Sequence, residues 1–171
     1  MATGTLNMAT PAPRVRPAAV RTARPLEDSR PAVLVMGSPR FCTFMHARLS
    51  ADGGLWLAHP VTTKDDALIA AYNEQPDAVV IDLDPQWLLS VLTLVDGISD
   101  VTRESAIILV AARTQPVTVD LVRRLAKSDL SFVRRRHTDS GERVVAALES
   151  ALSGTPWLDP EVQESVSSFR G

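Results

Sequence analysis

The chain has 171 residues, of which 45% are hydrophobic and 22% are charged, and its formal net charge is −2. This length and apolar fraction fit one globular domain with a substantial core, plus a tail. No apolar run approaches the roughly 20 residues needed to cross a bilayer, and the N-terminus lacks the apolar stretch of a secretory signal. The single cysteine, Cys42, cannot form an internal disulfide, so we expect a reducing, cytoplasmic environment and no membrane association.

Residues 1–30 are rich in alanine, proline and arginine and show no apolar periodicity. Their prolines prevent a continuous helix, so we predict a disordered tail that precedes a domain at residues 31–153. The tail carries five arginines against two acidic residues, whereas acidic residues outnumber basic ones in the rest of the chain. Such an arm is compatible with an acidic partner or a nucleic acid, and we favour a solubilising tail.

From residue 32 onward, strand signals and helix signals alternate, which is typical of a parallel α/β sheet. The predicted strands lie at residues 32–36, 55–59, 76–85, 106–111 and 130–133, and the predicted helices at about 40–50, 63–75, 85–95, 117–127 and 140–152. Right-handed crossovers between these strands predict a flavodoxin-like, doubly wound, five-stranded sheet of order 2-1-3-4-5.

Asp82 comes at the end of the apolar third strand, within the segment Pro76-Asp77-Ala78-Val79-Val80-Ile81-Asp82-Leu83-Asp84-Pro85. Open α/β sheets bind ligands at this edge, where the carboxyl ends of the strands and the helix N-termini converge. The segment is similar to the phosphoacceptor strand of bacterial response-regulator receiver domains, and residues 32–39 resemble the first strand of that family. Over about residues 32–153 the resemblance implies a CheY-like fold, with Asp82 at the phosphoacceptor position.

The sequence departs from the receiver pattern in the pocket around Asp82. Gly37 and Ser38 stand where the family carries its acidic, Mg²⁺-binding pair, although Asp84 could still supply a backbone carbonyl to a metal. Mg²⁺ requires hard oxygen ligands in octahedral geometry, so we expect this metal site to be lost. Ala111 occupies the position of the family's Thr or Ser switch.

The lysine position of the family falls on Arg135, or on Arg134 if the register slips by one. Arginine binds phosphate bidentately, but it is bulkier and planar, so the replacement is not equivalent. Two interpretations of Asp82 stay open: a structural ion pair with one of these arginines, or a ligand or phosphate site.

Phe132 takes the aromatic switch position on the fifth strand and is followed by a basic run that includes Arg134 and Arg136. In receivers this region belongs to the face formed by the fourth helix, the fifth strand and the fifth helix. The resemblance implies that this face is a surface for a protein partner or for a homodimer. A nucleic acid would also suit the positive charge, but no reading helix accompanies the cluster.

Residues 154–171 predict a helix with Asp159 as N-cap and Pro160 at its first position. This segment resembles the linker of response regulators of the LuxR or NarL type. The sequence stops at Gly171, so we expect no C-terminal helix-turn-helix.

Together these features predict an atypical receiver that acts by protein–protein contact or oligomerisation, without Mg²⁺-dependent phosphorylation of Asp82. We expect no enzyme activity, no metal and no cofactor, because the sequence offers no nucleophile–base pair and no cofactor motif. The alternatives are a small-molecule sensor that uses the same cleft, and a nucleic-acid-associated transcriptional regulator that uses the arginine-rich segments.

Overall fold

The computed structural model describes residues 28–51, 53–83, 88–102, 104–112, 118–135 and 141–170. Within these ranges strands and helices alternate along the chain. In order, they are β1 (Ala32–Met36), α1 (Pro39–Ser50), β2 (Trp56–Leu57), α2 (Lys64–Glu74), β3 (Ala78–Leu83), α3 (Leu88–Val101), β4 (Ala106–Ala112), α4 (Val119–Lys127), β5 (Ser131–Arg135), α5 (Glu142–Leu152) and α6 (Pro160–Arg170). The strands form a five-stranded sheet of order β2-β1-β3-β4-β5 in which every neighbouring pair is parallel, so the predicted topology is confirmed.

The sheet is covered on both faces, and the side chains of each strand alternate between two apolar clusters. Along β1, Val33 and Val35 belong to the cluster beneath α1 and α5, whereas Leu34 and Met36 belong to the cluster beneath α2, α3 and α4. The apolar runs that predict β1, β3 and β4 are therefore the runs that become buried on both sides.

Polar side chains fix the starts of three helices. Ser38, Thr63 and Thr118 each accept a hydrogen bond from the backbone N–H three residues further on, which satisfies a donor that the helix leaves unpaired. The predicted start of α2 at Thr63 is thus confirmed. Gln75 ends α2 in the left-handed conformation, with φ of 43°.

The observed bounds of β2 and β5 differ from the predicted ones. β2 is shorter than predicted and consists of Trp56–Leu57. β5 is longer at its carboxyl end and continues through Arg134 and Arg135, because both residues pair with the end of β4. The two arginines are therefore strand residues and not loop residues.

The segment after α5 returns to the sheet and lies against the outer edge of β5. Residues 157–159 run parallel to that strand: Phe132 N–H donates to the Trp157 carbonyl at 2.7 Å, and Asp159 N–H donates to the Phe132 carbonyl at 2.9 Å. The Trp157 N–H donates to Ser131 Oγ at 2.9 Å, so the hydroxyl of this fully buried serine has a partner. The edge of β5 is thereby capped by the chain's own backbone.

The carboxylate of Asp159 and the side chains of α6 attach the same segment to α5 and α4. Asp159 is 3% exposed, and its Oδ2 accepts a hydrogen bond from Arg143 Nη1 of α5 at 3.1 Å. α6 begins at Pro160, as predicted, and packs against α4, with Val162 and Val166 buried in the core. The segment predicted as a linker is thus packed against the domain in this structure. No helix in the described parts of the chain is long and apolar enough to span a membrane.

Replacing Ser131 by alanine is expected to lower the free energy of unfolding by about 1–3 kcal/mol, because the part-buried Trp157 N–H then loses its acceptor. Urea denaturation followed by circular dichroism measures the change. Ser167→Ala on the exposed side of α6 is the matched control, with a change within about 0.5 kcal/mol. Equal values for the two variants would contradict a structural role for this hydrogen bond.

Candidate functional site

Asp82 lies at the carboxyl end of the central strand β3 and is half-buried, in register with Val110 of β4. Val80, two residues earlier, belongs to the cluster beneath α1 and α5, so Asp82 lies on the same side of the sheet. The structure therefore places the carboxylate at the edge where the sequence predicts a site, on the side covered by α1.

Gly37, the residue after β1, approaches Asp82 so closely that any side chain here would force Asp82 or Phe41 to move. A Cβ atom built on Gly37 would lie 2.6 Å from Asp82 Cβ and 2.7 Å from Phe41 Cδ1. It would also lie 3.4 Å from Asp82 Oδ2. Contacts this short between carbon atoms are strongly repulsive, so the absence of a side chain at Gly37 is what allows Asp82 and Phe41 to pack as they do.

Phe41, in the first turn of α1, fills the space beside Asp82. Its ring is 1% exposed, and the guanidinium carbon of Arg135 lies 5.3 Å from the ring centroid. This distance is within the range of a cation–π interaction. The ring thus borders both the carboxylate-bearing residue and the arginine, and it contributes an apolar wall to the site.

Strand parity separates the two candidate arginines. Val133 and Arg135 lie on the α1 side of β5, the side of Asp82, whereas Phe132 and Arg134 lie on the opposite side, towards α4. The backbone of Arg134 contacts the C-terminal segment, since its N–H donates to Asp159 Oδ2 at 3.4 Å. Of the two arginines, Arg135 is therefore the one positioned to act with Asp82.

The other predicted site residues either have structural roles or lie outside the described residues. Ser38 is exposed, and its hydroxyl accepts from Phe41 N–H at 3.2 Å, so it serves as the helix cap. Ala111 is 2% exposed, provides no hydroxyl, and belongs to the cluster beneath α2, α3 and α4, on the side of the sheet opposite Asp82. Asp84 and Arg136 lie outside the described residues.

Phe132 is fully buried in the core beneath α4, with 0% exposure. We expected it on an interaction face, and that expectation is wrong for its side chain. The reason is that residues 157–159 cover the edge of β5 and α6 covers α4.

Cys42 lies next to the site but is poorly suited to nucleophilic chemistry. Its Sγ is buried, 3.6 Å from the carbonyls of Gly37 and Val61. Burial, with a further contribution from the negative charge of Asp82, raises the pKa of the thiol. Cys42 is therefore held as a neutral thiol at neutral pH, whereas the thiolate is the reactive form. In the described ranges, no group of three His, Cys, Asp or Glu side chains is arranged to hold a metal ion.

Phe41 is not among the site residues that we predict from the sequence. The available signal is a glycine in place of an acid at position 37, followed four residues later by a large aromatic side chain. A glycine opposite a bulky ring indicates that the backbone and the ring approach each other closely. Which residues the ring contacts depends on the packing of β3 and β5.

Replacing Arg135 by glutamine is expected to cost about 0.5–2 kcal/mol of stability, because the cation–π contact with the buried Phe41 ring is lost. Thermal and urea denaturation measure the effect, with Arg135→Lys as the variant that keeps the charge. If Arg135→Gln were as stable as the unchanged chain, the contact with Phe41 would contribute nothing.

Comparisons with known proteins identify the fold of this chain. No protein-family model matches it, and no curated protein sequence matches it. Among solved structures, the receiver domain of RcsB from Salmonella enterica serovar Typhimurium superimposes with a TM-score of 0.62 at 11% identity, covering 79% of this chain and 97% of that domain. A LuxR-family two-component response regulator from Aurantimonas gives a TM-score of 0.61 at 14% identity, covering 83% and 99% of the respective chains. The pilus assembly protein CpaE from Caulobacter crescentus gives 0.54 at 15% identity, covering 73% and 92%. The chain therefore has the receiver fold, as the sequence predicts.

Proposed function

We propose that this receiver-fold domain is a signalling protein whose output is contact with other proteins, and that Asp82 is not a Mg²⁺-dependent phosphoacceptor. The observation that carries the proposal is the packing of Gly37 against Asp82 and Phe41. A first-strand acidic side chain has no room at position 37, because even its first carbon would collide with Asp82 Cβ.

The residues present do not fit a magnesium ion. Mg²⁺ takes near-octahedral oxygen ligands at about 2.0–2.1 Å and is held in proteins by carboxylates and waters. The space next to Asp82 is bordered by the apolar ring of Phe41, and Ser38 faces its own helix as a cap. The ring carbons of Phe41 offer no ligand to a metal ion. An acyl phosphate on Asp82 would therefore lack the bound metal ion that stabilises it in the receiver family.

The other two parts of phosphate recognition are changed as well. Ala111 has no hydroxyl to report a phosphoryl group, and Arg135 is engaged by the Phe41 ring. A signal that uses neither a phosphate-sensing hydroxyl nor a free phosphate-binding side chain must reach the domain through the binding of a ligand or a protein. We therefore assign the domain a non-enzymatic, cytoplasmic role in which contact between proteins, or between copies of the chain, carries the output.

The nucleic-acid alternative receives less support from the described residues. Arg134 and Arg135 are half-buried, and Arg135 faces Phe41. Phosphate binding draws on exposed lysine and arginine side chains, which release counterions from the nucleic acid. These two arginines are therefore better placed for internal packing than for a nucleic acid.

Incubation with acetyl phosphate and Mg²⁺, followed by intact-mass spectrometry, tests the proposal. We expect no stoichiometric phosphoryl adduct under conditions that label a receiver with the acidic pair, which serves as the positive control. An adduct that forms on the unchanged chain and is absent from Asp82→Asn would overturn the phosphorylation-independent function.

A further inference from the structure

The C-terminal segment, residues 157–170, contacts each element of the face formed by α4, β5 and α5. Residues 157–159 pair with the outer edge of β5, α6 packs on α4, and Asp159 bonds Arg143 of α5. Trp157 and Leu158 pack on opposite sides of the sheet, one against each core cluster. The segment is therefore a built-in ligand of this face, with an extended part and a helical part.

Removing the segment without a replacement would be unfavourable. Val162 and Val166 are 2% and 1% exposed, and the edge groups of Phe132 would lose the two backbone partners that the segment supplies. The ion pair between Arg143 and Asp159, whose carboxylate is 4% exposed, would also be lost. An occupant with the same extended stretch and amphipathic helix would satisfy these groups.

The connection between α5 and the segment is short. It comprises residues 153–156, of which the first three are exposed, and Gly154 adopts φ of 81°. A left-handed glycine allows the sharp return of the chain towards β5, and a different φ at this residue would direct the segment away from its own domain. Exchange of the segment therefore requires a change in these residues, including the hydrogen bonds that Gly154 N–H and Thr155 N–H donate to the end of α5, each 2.9 Å long.

We propose that the C-terminal segment is exchangeable, and that its alternative occupant is the same segment of a second copy of this chain. A second copy restores every contact, including the paired backbone, the two valines and the buried ion pair, so exchange loses none of the interface. The intramolecular form benefits from the high effective concentration of a tethered ligand, and exchange is favoured as protein concentration rises.

This inference rests on the proposed function in taking contact between copies as the output. It does not depend on the chemistry of Asp82, because the contacts that hold the segment are made with β5, α4 and α5. Failure of the exchange would leave the account of the pocket intact, and phosphorylation of Asp82 would leave the exchange intact.

A charge-swap mixture of full-length chains tests the exchange. Arg143→Glu and Asp159→Arg each place like charges across the intramolecular contact. When the two variants are mixed and exchange segments, the glutamate introduced at position 143 of one chain meets the arginine introduced at position 159 of the other. On the second side, the unchanged Arg143 and Asp159 pair across the two chains. We expect a one-to-one heterodimer in native mass spectrometry, favoured over either homodimer by at least roughly a hundredfold.

The double variant, which carries both Arg143→Glu and Asp159→Arg in one chain, is the matched control. Its own chain restores the ion pair with the charges reversed, so we expect it to stay monomeric, although it lacks the acceptor that Asp159 provides to Arg134 N–H. The mixture is measured at the same protein concentrations as the unchanged chain. If the single variants fold but stay monomeric after mixing, the proposal is overturned.

If the single variants do not fold, deletion of Gly154 and Thr155 decides the question. The shortened hinge prevents the segment from returning to its own β5. The proposal then requires a dimer in which the amides of α6 stay protected from hydrogen exchange. A monomer with unprotected α6 amides, or unstructured aggregate, would refute it.

Discussion

Replacing Gly37 by aspartate is expected to destabilise the domain by about 3 kcal/mol or more and not to create a Mg²⁺ site. This change restores one acid of the receiver pattern, so a chain with an intact but incomplete pocket would gain metal affinity from it. Here the new Cβ would lie 2.6 Å from Asp82 Cβ and 2.7 Å from Phe41 Cδ1. The new carboxylate would also share the buried site with the negative charge of Asp82, which adds repulsion to the steric cost.

Urea denaturation and an isothermal titration with Mg²⁺ measure the two parts of this prediction. Gly97→Ala is the matched control. Its Cβ would meet the end of the flexible Leu68 side chain at 2.9 Å, and alanine is favoured over glycine by about 0.5–1 kcal/mol within a helix, so the net change should be small. A Gly37→Asp variant as stable as the unchanged chain, with new Mg²⁺ affinity, would contradict the close packing described above.

Replacing Phe41 by alanine is expected to lower the free energy of unfolding by about 3–5 kcal/mol, the usual cost of truncating a fully buried phenylalanine. The loss includes the transfer of an apolar ring to water, the cavity left between α1 and the sheet, and the contact with Arg135. The variant should also allow Arg135 to approach Asp82, since both residues lie on the same side of the sheet.

Guanidinium denaturation of Phe41→Ala, compared with Phe44→Ala, measures this effect. Phe44 is on the same helix but is half-buried and borders Gly141, so its truncation should cost less than that of Phe41. Nearly equal losses for the two variants would show that the Phe41 ring has no special place in the pocket.

The sequence predicts the sheet well because its central strands are continuous apolar runs, and such runs are recognised without knowledge of their neighbours. The start of α6 is predicted for a similar reason, since Asp159-Pro160 is a local signal. The pairing of residues 157–159 with β5 is not predictable in this way. Three residues carry no strand periodicity, and their extended form is stabilised by Ser131 and Phe132, which lie far earlier in the chain.

The pocket shows the same division between local and non-local information. The loss of the acidic pair is visible from the residues at positions 37 and 38. The consequence, the close packing of Phe41 and Asp82 around Gly37, depends on how tightly β1, β3 and α1 approach one another. The predicted end of β5 falls short of Arg134 and Arg135 for a related reason: charged side chains obscure a strand whose pairing with Ala111 and Ala112 of β4 fixes its length.

A titration of the ¹⁵N-labelled chain with Mg²⁺ and beryllofluoride, observed by NMR, tests the central claim most directly. Beryllofluoride mimics an acyl phosphate on the aspartate and requires the metal to bind. The close packing of Gly37, Phe41 and Asp82 predicts no saturable shifts at the carboxyl ends of β1, β3 and β4, in the unchanged chain and in Asp82→Asn alike. Saturable shifts in the unchanged chain that disappear in Asp82→Asn would show a working phosphoacceptor site and contradict the account.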